Sequence, residues 1–261
     1  MRKRGLLWKL SLDLKSAPGY LFGTMHSAGA IATDKVIQVM PYIQGCTAYF
    51  GESDIDQLLA NPFQVAPPVW KGLAQLISPA AYSKSRHQLR QRFNLDLDAI
   101  QHLPPLLLTT LISEKMLSAG VREALDIQLW MLAKNQGLSV QGLESVEEQA
   151  KIYAGIPILF QIRQLKKLIL NLSGSFKSLA KIESAYFRDD LASLYRLSHK
   201  HLGKTKKIIL YDRNLIMAQR IKAKMDDPTS ASFFSIGAAH LPGQKGVLRL
   251  LKAYGLQVIP V

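Results

Sequence analysis

Two short glycine–histidine motifs near opposite ends of the chain carry the residue types of a metal site. Gly23-Thr24-Met25-His26 and Gly237-Ala238-Ala239-His240 each place a histidine three residues after a glycine. Neutral imidazole is a good ligand for zinc, manganese, cobalt or iron, and one carboxylate completes a common set with open positions. Glu52 is the candidate carboxylate, because it follows an apolar run like those before the two motifs. Water bound at an open position loses a proton near neutral pH and can attack a carbonyl.

Four polar residues outside these motifs are candidates for catalysis or for support of the metal ligands. Glu144 ends a predicted strand and could be a ligand, a base or a residue that orients a ligand. Arg213, next to Asn214 in a predicted helix, could bind a substrate carboxylate, stabilise an oxyanion or simply pair with a neighbouring acid. Asp126 lies in a mainly apolar helix, and a buried acid needs a partner. We therefore expect Asp126 to brace Arg213 or a ligand histidine.

The apolar runs before both motifs predict buried strands that deliver the histidines to one edge of a sheet. Tyr20-Leu21-Phe22 precedes the first motif, and residues 233–236 precede the second. The carboxyl ends of strands are where open α/β sheets build ligand sites, so we expect the two histidines to meet in one cleft. Gly23 and Gly237 would allow unusual backbone angles there and a close approach of the ligand.

The whole chain predicts an α/β fold with a mixed central sheet built from its N- and C-terminal parts. Predicted strands cover residues 6–12, 20–22, 46–50, 138–143, 232–236 and 256–259. Predicted helices cover residues 33–44, 79–93, 97–102, 104–118, 122–135, 157–202 with a break near Ser173-Gly174, 208–224 and 242–254. Ser145 and Glu148 form a capping box, which predicts a further helix directly after Glu144. We predict a single domain over residues 1–261, with helical insertions at about 69–135 and 157–202.

Composition is typical of a globular protein with a sizeable core. The chain has 261 residues, of which 48% are hydrophobic and 20% charged, close to the average for soluble domains. The single cysteine, Cys46, excludes an intramolecular disulfide. No apolar run approaches the roughly 20 residues that a membrane span needs. The basic N-terminus resembles the start of a signal peptide, but Lys9 and Asp13 interrupt the apolar stretch that follows, and residues 6–12 fit a first strand better. Two interpretations stay open: the protein is not exported by this route, or a leader has already been removed.

The net charge of +14 is concentrated partly in two basic runs, residues 163–181 and 196–207. We interpret both runs as solvated helix faces, and binding to an anionic surface through these helices is the alternative. His199 and His201 lie in the second run and are predicted to be solvated. Because few aromatic residues are interleaved with the basic ones, no nucleic-acid partner is expected.

The motifs resemble the TraB/GumN family, which includes the animal Tiki proteases, along nearly the whole chain. The residues that carry the resemblance are Leu7-Trp8-Lys9, Gly23-Thr24-Met25-His26, Glu52, Leu103-Pro104-Pro105, Leu125-Asp126, residues 142–149, Arg213-Asn214 and residues 237–247. The resemblance implies a fold related to the erythromycin-esterase-like and ChaN-like proteins. It also implies a metal-dependent peptidase site made of His26, His240 and Glu52, supported by manganese or cobalt.

Two features depart from the family pattern. Asp212 stands where a glutamate often precedes the arginine–asparagine pair, which keeps the carboxylate on a shorter arm. Family members are usually exported or anchored in the cell envelope, whereas neither a leader nor a membrane span is evident in this sequence.

The leading hypothesis is a metal-dependent peptidase or related amide hydrolase that acts on a peptide or protein. A divalent ion (manganese, cobalt or zinc) would be held by His26, Glu52 and His240, with Glu52 or Glu144 as the base and Arg213 binding substrate or oxyanion. The first alternative is a protein that binds a peptide in the same cleft without cleaving it. A second alternative, a mononuclear iron oxygenase, is disfavoured because such ligands normally project into a β-barrel, which this helix-rich sequence does not indicate.

Overall fold

The computed structural model describes residues 5–13, 16–25, 30–60, 70–117, 124–200 and 202–261. His26 and His201 lie outside the described residues. No helix among the described residues is long and apolar enough to cross a membrane.

A mixed sheet of six strands lies at the centre of the described chain, in the order β4-β3-β5-β2-β1-β6. The strands are β1 (Leu7–Ser11), β2 (Gly19–Thr24), β3 (Ala48–Ser53), β4 (Ser139–Glu144), β5 (Ser232–Gly237) and β6 (Gln257–Pro260). Strands β4, β3, β5 and β2 are mutually parallel, while β1 runs antiparallel to both β2 and β6. The predicted α/β class and the mixed sheet drawn from both ends of the chain are confirmed, with β4 added from the middle.

Helices account for most of the remaining described chain. The α-helices are α1 (Ala30–Gln44), α2 (Ile55–Ala60), α3 (Pro79–Phe93), α4 (Leu97–Ile100), α5 (Pro105–Leu117), α6 (Leu125–Asn135), α7 (Val146–Ala154), α8 (Ile158–Leu170), α9 (Leu172–Phe187), α10 (Leu191–His199), α11 (Asp212–Met225) and α12 (Val247–Ala253). Short 3₁₀ segments cover Leu73–Gln75, Gly203–Thr205 and Ala238–His240, and a π-helical turn, Lys207–Tyr211, leads into α11.

Several helix boundaries differ from the sequence prediction, among them an unpredicted break between α9 and α10 at Asp189, which has a φ of 53°. The break expected near Ser173-Gly174 falls at Asn171, whose side-chain oxygen accepts the Gly174 backbone N–H at 3.0 Å and so caps the start of α9. The final helix begins at Val247 rather than at residue 242. Gly243 has a φ of 100°, which a continuous α-helix cannot accommodate.

Helices pack on both faces of the sheet. Successive strand residues point to opposite faces of the sheet. The contacts of Tyr49 and Phe50 therefore show which helix covers each face. Tyr49 meets the indole of Trp130 on α6 edge-on, with ring centroids 6.1 Å apart. The ring of Phe50 lies under the ammonium of Lys224 on α11, at 5.0 Å. The sheet is therefore the middle layer of three, which explains why β5 is buried from Ser232 to Ile236.

A second hydrophobic cluster lies among the helices of the middle part of the chain. It contains buried side chains of α3, α5 and α8, including Leu89, Leu108, Ile112 and Leu165. The main cluster surrounds the sheet and contains Trp8 and Trp130. The helical part therefore has a hydrophobic core of its own, separate from the core around the sheet.

Candidate functional site

The parallel strands bring several predicted site residues to one edge of the sheet. Glu144 is the last residue of β4, and Glu52 lies next to the last residue of the neighbouring β3. Gly237 ends β5 and is paired with Thr24, the last residue of β2. The carboxyl ends of four adjacent parallel strands thus meet at one place, as expected for a ligand site of an α/β sheet.

Arg213 on α11 connects the two glutamates of this edge. Its Nε donates to Glu144 Oε1 and Oε2 at 3.0 and 3.1 Å, and its Nη2 donates to Glu144 Oε2 at 2.5 Å. The same Nη2 also donates to Glu52 Oε1. The side chains of Arg213 and Glu144 are only 5% and 2% exposed, against 24% for Glu52. Arg213 therefore pairs with acids on two strands, and Glu52 is the more accessible of the two.

The Glu52 carboxylate is fixed in its ionised form. Its Oε2 accepts the backbone N–H of Gly237 at 2.7 Å, while Oε1 accepts from Arg213. Burial alone would raise the pKa of Glu52, but the Arg213 charge, His240 and the Gly237 N–H together lower that pKa to about 2. A side chain at position 237 would crowd this contact, since a Cβ there would lie 3.2 Å from Glu52 Oε2.

His240 is oriented by Asn214 on α11. Asn214 Nδ2 donates to the backbone carbonyl of Lys245 at 2.7 Å, so Oδ1 of the same amide faces the imidazole. His240 Nδ1 lies 2.5 Å from this Oδ1 and must carry the proton that the contact requires. The other ring nitrogen, Nε2, is then the lone-pair nitrogen of the neutral ring. This is the arrangement in which proteins hold a metal-binding histidine.

His240 and Glu52 converge from different strands. His240 Nε2 lies 3.9 Å from Glu52 Oε1. Burial lowers the pKa of His240 to about 4, with the Arg213 charge acting in the same direction and Glu52 opposing it. The imidazole is therefore neutral at pH 7, and an electron pair on nitrogen faces a carboxylate oxygen.

This donor set fits a divalent cation. Arg213, Glu52 and Glu144 together carry a net charge of −1 when His240 is neutral, so the buried cluster lacks one positive charge. Nitrogen and carboxylate oxygen are ligands that zinc, manganese and cobalt accept. Among the described residues, no group of three histidine, cysteine, aspartate or glutamate side chains could hold a metal. The predicted third ligand, His26, lies outside those residues, so its place in the set stays a prediction.

The strand that leads to His26 ends at the same site. The Gly23 carbonyl accepts the phenol O–H of Tyr186 at 2.7 Å. A Cβ at position 23 would lie 2.7 Å from Leu241 Cδ1 and 3.1 Å from Ala238. Gly23 therefore lets the first motif pack directly against the 3₁₀ segment that carries His240.

A cavity of about 1360 Å³ opens between this sheet edge and the helical middle of the chain. Glu52, Arg213 and His240 lie in its wall, whereas Glu144 is not among the residues that line it. Asp126 also lines the cavity. The acids that hold Arg213 are Glu52 and Glu144, and a bracing role of Asp126 stays a prediction.

Sequence reasoning missed two residues of α7 that face the site. Gln149 Nε2 donates to Glu144 Oε2 at 3.2 Å. Tyr153, four residues further along the same helix face, lines the cavity. Burial raises the pKa of its phenol, so the phenol is protonated at neutral pH. The sequence feature that could have pointed to these residues is the capping box of Ser145 and Glu148. It is present in the structure and starts α7 directly after Glu144.

His199 also differs from its predicted environment. It is buried, and its ring packs on that of Tyr195 with centroids 4.0 Å apart. The expectation of a solvated histidine in the basic run is therefore wrong for this residue.

The fold and the site together define an α/β protein with a charged cluster at the carboxyl edge of its parallel strands. The chain belongs to the TraB/PrgY/gumN family, whose sequence profile matches residues 6–260. This confirms the resemblance drawn from the motifs along the chain.

The chain is also similar to Metalloprotease TIKI2 of Danio rerio. The two are 23% identical over an alignment 322 positions long, which includes 97% of this chain. The chain spans 60% of the length of that relative.

Proposed function

We propose that the chain is a metal-dependent peptidase or related amide hydrolase. The observation that carries this proposal is the convergence of His240 Nε2 and Glu52 Oε1 at 3.9 Å inside a cluster of net negative charge. The tautomer fixed by Asn214 supports it, because a nitrogen lone pair facing a carboxylate favours a cation between the two.

His240 and Glu52 would hold the divalent ion, together with His26. Manganese, cobalt and zinc all suit this combination of ligands. When bound, such an ion polarises a substrate carbonyl and makes a bound water acidic enough to ionise near neutral pH.

The two glutamates have different roles in this proposal. Glu52 lines the cavity, so it is placed to meet both the cation and the substrate. Glu144 is almost fully buried and accepts hydrogen bonds from Arg213 and Gln149. It positions Arg213. Burial alone would lower the pKa of Arg213, but the carboxylates of Glu52 and Glu144 raise it.

Tyr153 and Arg213 would stabilise the charge that develops on the attacked carbonyl. Both line the cavity beside Glu52. The protonated phenol of Tyr153 can donate a hydrogen bond to an oxyanion, and such a donor is typically worth a factor of about 10²–10³ in rate.

The proposal is tested by mass spectrometry of a defined mixture of synthetic peptides after incubation with manganese-loaded protein. New peptide termini are expected, and they should disappear with a chelator and with the His240→Ala variant. Peptides that stay intact in the presence of manganese, cobalt and zinc would contradict hydrolysis.

A non-catalytic peptide-binding protein is the second candidate. The engagement of Glu52 by both Arg213 and the Gly237 N–H favours it, because these hydrogen bonds occupy electron pairs of the ligand carboxylate. In that case the same experiment would recover intact peptides bound to the protein.

A further inference from the structure

The helical middle of the chain carries an excess of positive charge that the candidate site does not use. Helix α3 contains four lysine or arginine residues, α8 three and α9 two, and Glu183 is the single acid of these three helices. Two of the basic residues of α3, Arg86 and Arg90, pair with Asp98 and Asp96. The excess charge therefore lies mainly on α8 and α9.

The outward side of α8 combines basic and aliphatic side chains. Four exposed residues form a stripe along it: Leu159, Arg163, Lys167 and Leu170. Their spacing of four, four and three residues puts them on one face of the helix. The side chains of the opposite face are buried in the second hydrophobic cluster. Because Leu159 and Leu170 are 73% and 57% exposed, packing within the chain does not account for these two leucines.

The basic stripe continues onto α9 and reaches the end of α3. Ser173, Lys177 and Lys181 are exposed at intervals of four residues along α9, and Leu170 lies just before this helix begins. Arg92 of α3 is also exposed, and its Nη1 donates to the Ser173 hydroxyl at 3.3 Å. We name the following seven exposed residues the basic face: Arg92, Leu159, Arg163, Lys167, Leu170, Lys177 and Lys181.

This combination of positive charge and exposed aliphatic groups matches the chemistry of an anionic bilayer surface. Lipid phosphates attract lysine and arginine side chains, and leucine side chains between them can be buried at the boundary of the acyl chains. Single-stranded nucleic acid is typically held by stacking of its bases on aromatic side chains, and no residue of the basic face is aromatic. A soluble acidic polymer would pair with the charges but would not bury Leu159 and Leu170.

We propose that the basic face is a docking surface for an anionic phospholipid bilayer. Its lysine and arginine side chains would contact the phosphates, while Leu159 and Leu170 would enter the interface. The proposal goes beyond the proposed hydrolysis and does not depend on it, because no residue of the basic face lines the cavity. Helices α8 and α9 line the cavity with other residues, among them Ile158 and Ile182.

Two double variants separate the basic face from the overall charge of the protein. Lys177→Gln with Lys181→Gln removes two charges from the basic face. Lys151→Gln with Arg249→Gln removes two charges from exposed positions of α7 and α12. Both double variants lower the net charge equally, so they differ only in where the charge is lost.

A second pair of variants tests the aliphatic part of the face. Leu170→Ser removes an exposed leucine of the basic face. Ile37→Ser is the control, because Ile37 on α1 is 58% exposed, against 57% for Leu170. Both substitutions remove a similar apolar surface from water, so a difference between them reflects the place of the side chain.

The experiment measures cosedimentation of the full chain with sucrose-loaded vesicles in the presence of a chelator. One vesicle type is pure phosphatidylcholine, and the other contains equal parts of phosphatidylcholine and phosphatidylglycerol. The wild-type chain is expected to bind the anionic vesicles at least about tenfold more tightly, and this binding should weaken as NaCl is raised.

The variants have different expected affinities for the anionic vesicles. Since one basic side chain near such a surface contributes roughly a fivefold gain in affinity, Lys177→Gln with Lys181→Gln should weaken binding about 25-fold. Leu170→Ser should weaken it about tenfold. Both control variants should stay within about twofold of the wild-type chain, because their side chains lie outside the contact.

Equal binding of the wild-type chain to the two vesicle types would overturn the proposal, and this comparison needs no variant. Equal losses in the two double variants, with thermal unfolding showing that both fold, would indicate attraction by net charge alone and would also overturn it. Unchanged binding of Leu170→Ser would exclude entry of this leucine into the interface. That result would indicate a contact with anionic groups alone, as on a soluble polymer, and would overturn the assignment to a bilayer.

Discussion

His240 Nδ1 and Asn214 Oδ1 lie 2.5 Å apart, and this contact fixes which nitrogen of the imidazole faces Glu52. The asparagine cannot turn over without losing its hydrogen bond to the Lys245 carbonyl. The orientation of the proposed metal ligand therefore depends on a neighbour that would not itself touch the metal.

The first prediction concerns that neighbour. Asn214→Leu removes the acceptor for His240 Nδ1, so the ring can adopt the other tautomer and rotate. We expect the affinity for Mn²⁺ to fall about 10- to 100-fold, as measured by isothermal titration calorimetry. Asn214→Asp keeps an acceptor at this position and should lose less. Unchanged affinity in a folded Asn214→Leu variant would show that the contact does not orient a ligand.

The second prediction concerns the buried ion pairs of Arg213. Arg213→Met leaves Glu52 and Glu144 without their cation, and removal of one partner from a buried ion pair typically costs about 3–5 kcal/mol. We expect a decrease of that size in the free energy of unfolding in urea. Arg220→Met is the control on the same helix, because the Arg220–Glu148 pair is partly exposed and should contribute about 1 kcal/mol or less. Similar losses of unfolding free energy in Arg213→Met and Arg220→Met would contradict the conclusion that Arg213 forms buried ion pairs.

The third prediction concerns the pH dependence of stability in the metal-free protein. The folded-state pKa of His240 is about 4, below its ordinary value of 6.5. The unfolded chain therefore takes up a proton first, and stability falls as the pH drops from 6.5 to 4, by about 3 kcal/mol. Glu52, with a pKa lowered from 4.5 to about 2, adds a further loss as the pH drops from 4.5 to 2.

Urea unfolding in a chelator at several pH values separates these contributions. The His240→Gln variant should lack the loss between pH 6.5 and 4.5, because glutamine does not titrate. If the profiles of the wild-type and variant proteins are parallel in this range, His240 does not behave as a buried neutral imidazole.

The fourth prediction concerns the close packing of the two motifs. In Gly23→Ala the new Cβ would lie 2.7 Å from Leu241 Cδ1, and overpacking of this kind costs about 1–3 kcal/mol. Gly45→Ala is the control, since a Cβ there would meet the nearest carbonyls at an ordinary 3.7 Å. Its free energy of unfolding should change by less than about 0.5 kcal/mol. Equal melting temperatures for the two variants would argue against a tight junction at Gly23.

The fifth prediction concerns Tyr153. If its phenol stabilises the oxyanion, Tyr153→Phe should lower kcat for peptide cleavage about 10²–10³-fold. The affinity for Mn²⁺ should change little, because the phenol of Tyr153 is not one of the proposed metal ligands. A proportional rise in KM with an unchanged kcat would instead indicate a role in substrate binding.

The sheet edge could be predicted from the sequence because short apolar runs followed directly by glycine, histidine or glutamate are local signals. They placed Glu52, Glu144 and His240 at strand ends, and parallel pairing then brought these strand ends together. The start of α7 was equally local, since the capping box of Ser145 and Glu148 involves residues only three apart.

The contacts of the site could not be predicted in the same way. Arg213 is separated from Glu144 by 69 residues and from Glu52 by 161. Which acids it meets depends on how α11 packs across the strands, and no spacing in the sequence encodes that. The apolar cavity likewise forms between two separate hydrophobic clusters. The sequence of any single helix that lines the cavity therefore does not predict it.

The most direct test of the proposed metal centre is anomalous X-ray diffraction from crystals of the full chain soaked in Mn²⁺. We expect one strong anomalous peak within coordinating distance, about 2.0–2.3 Å, of both His240 Nε2 and Glu52 Oε1. The absence of a peak between these two atoms, in crystals that bind manganese elsewhere or not at all, would contradict the metal site on which the proposed function depends.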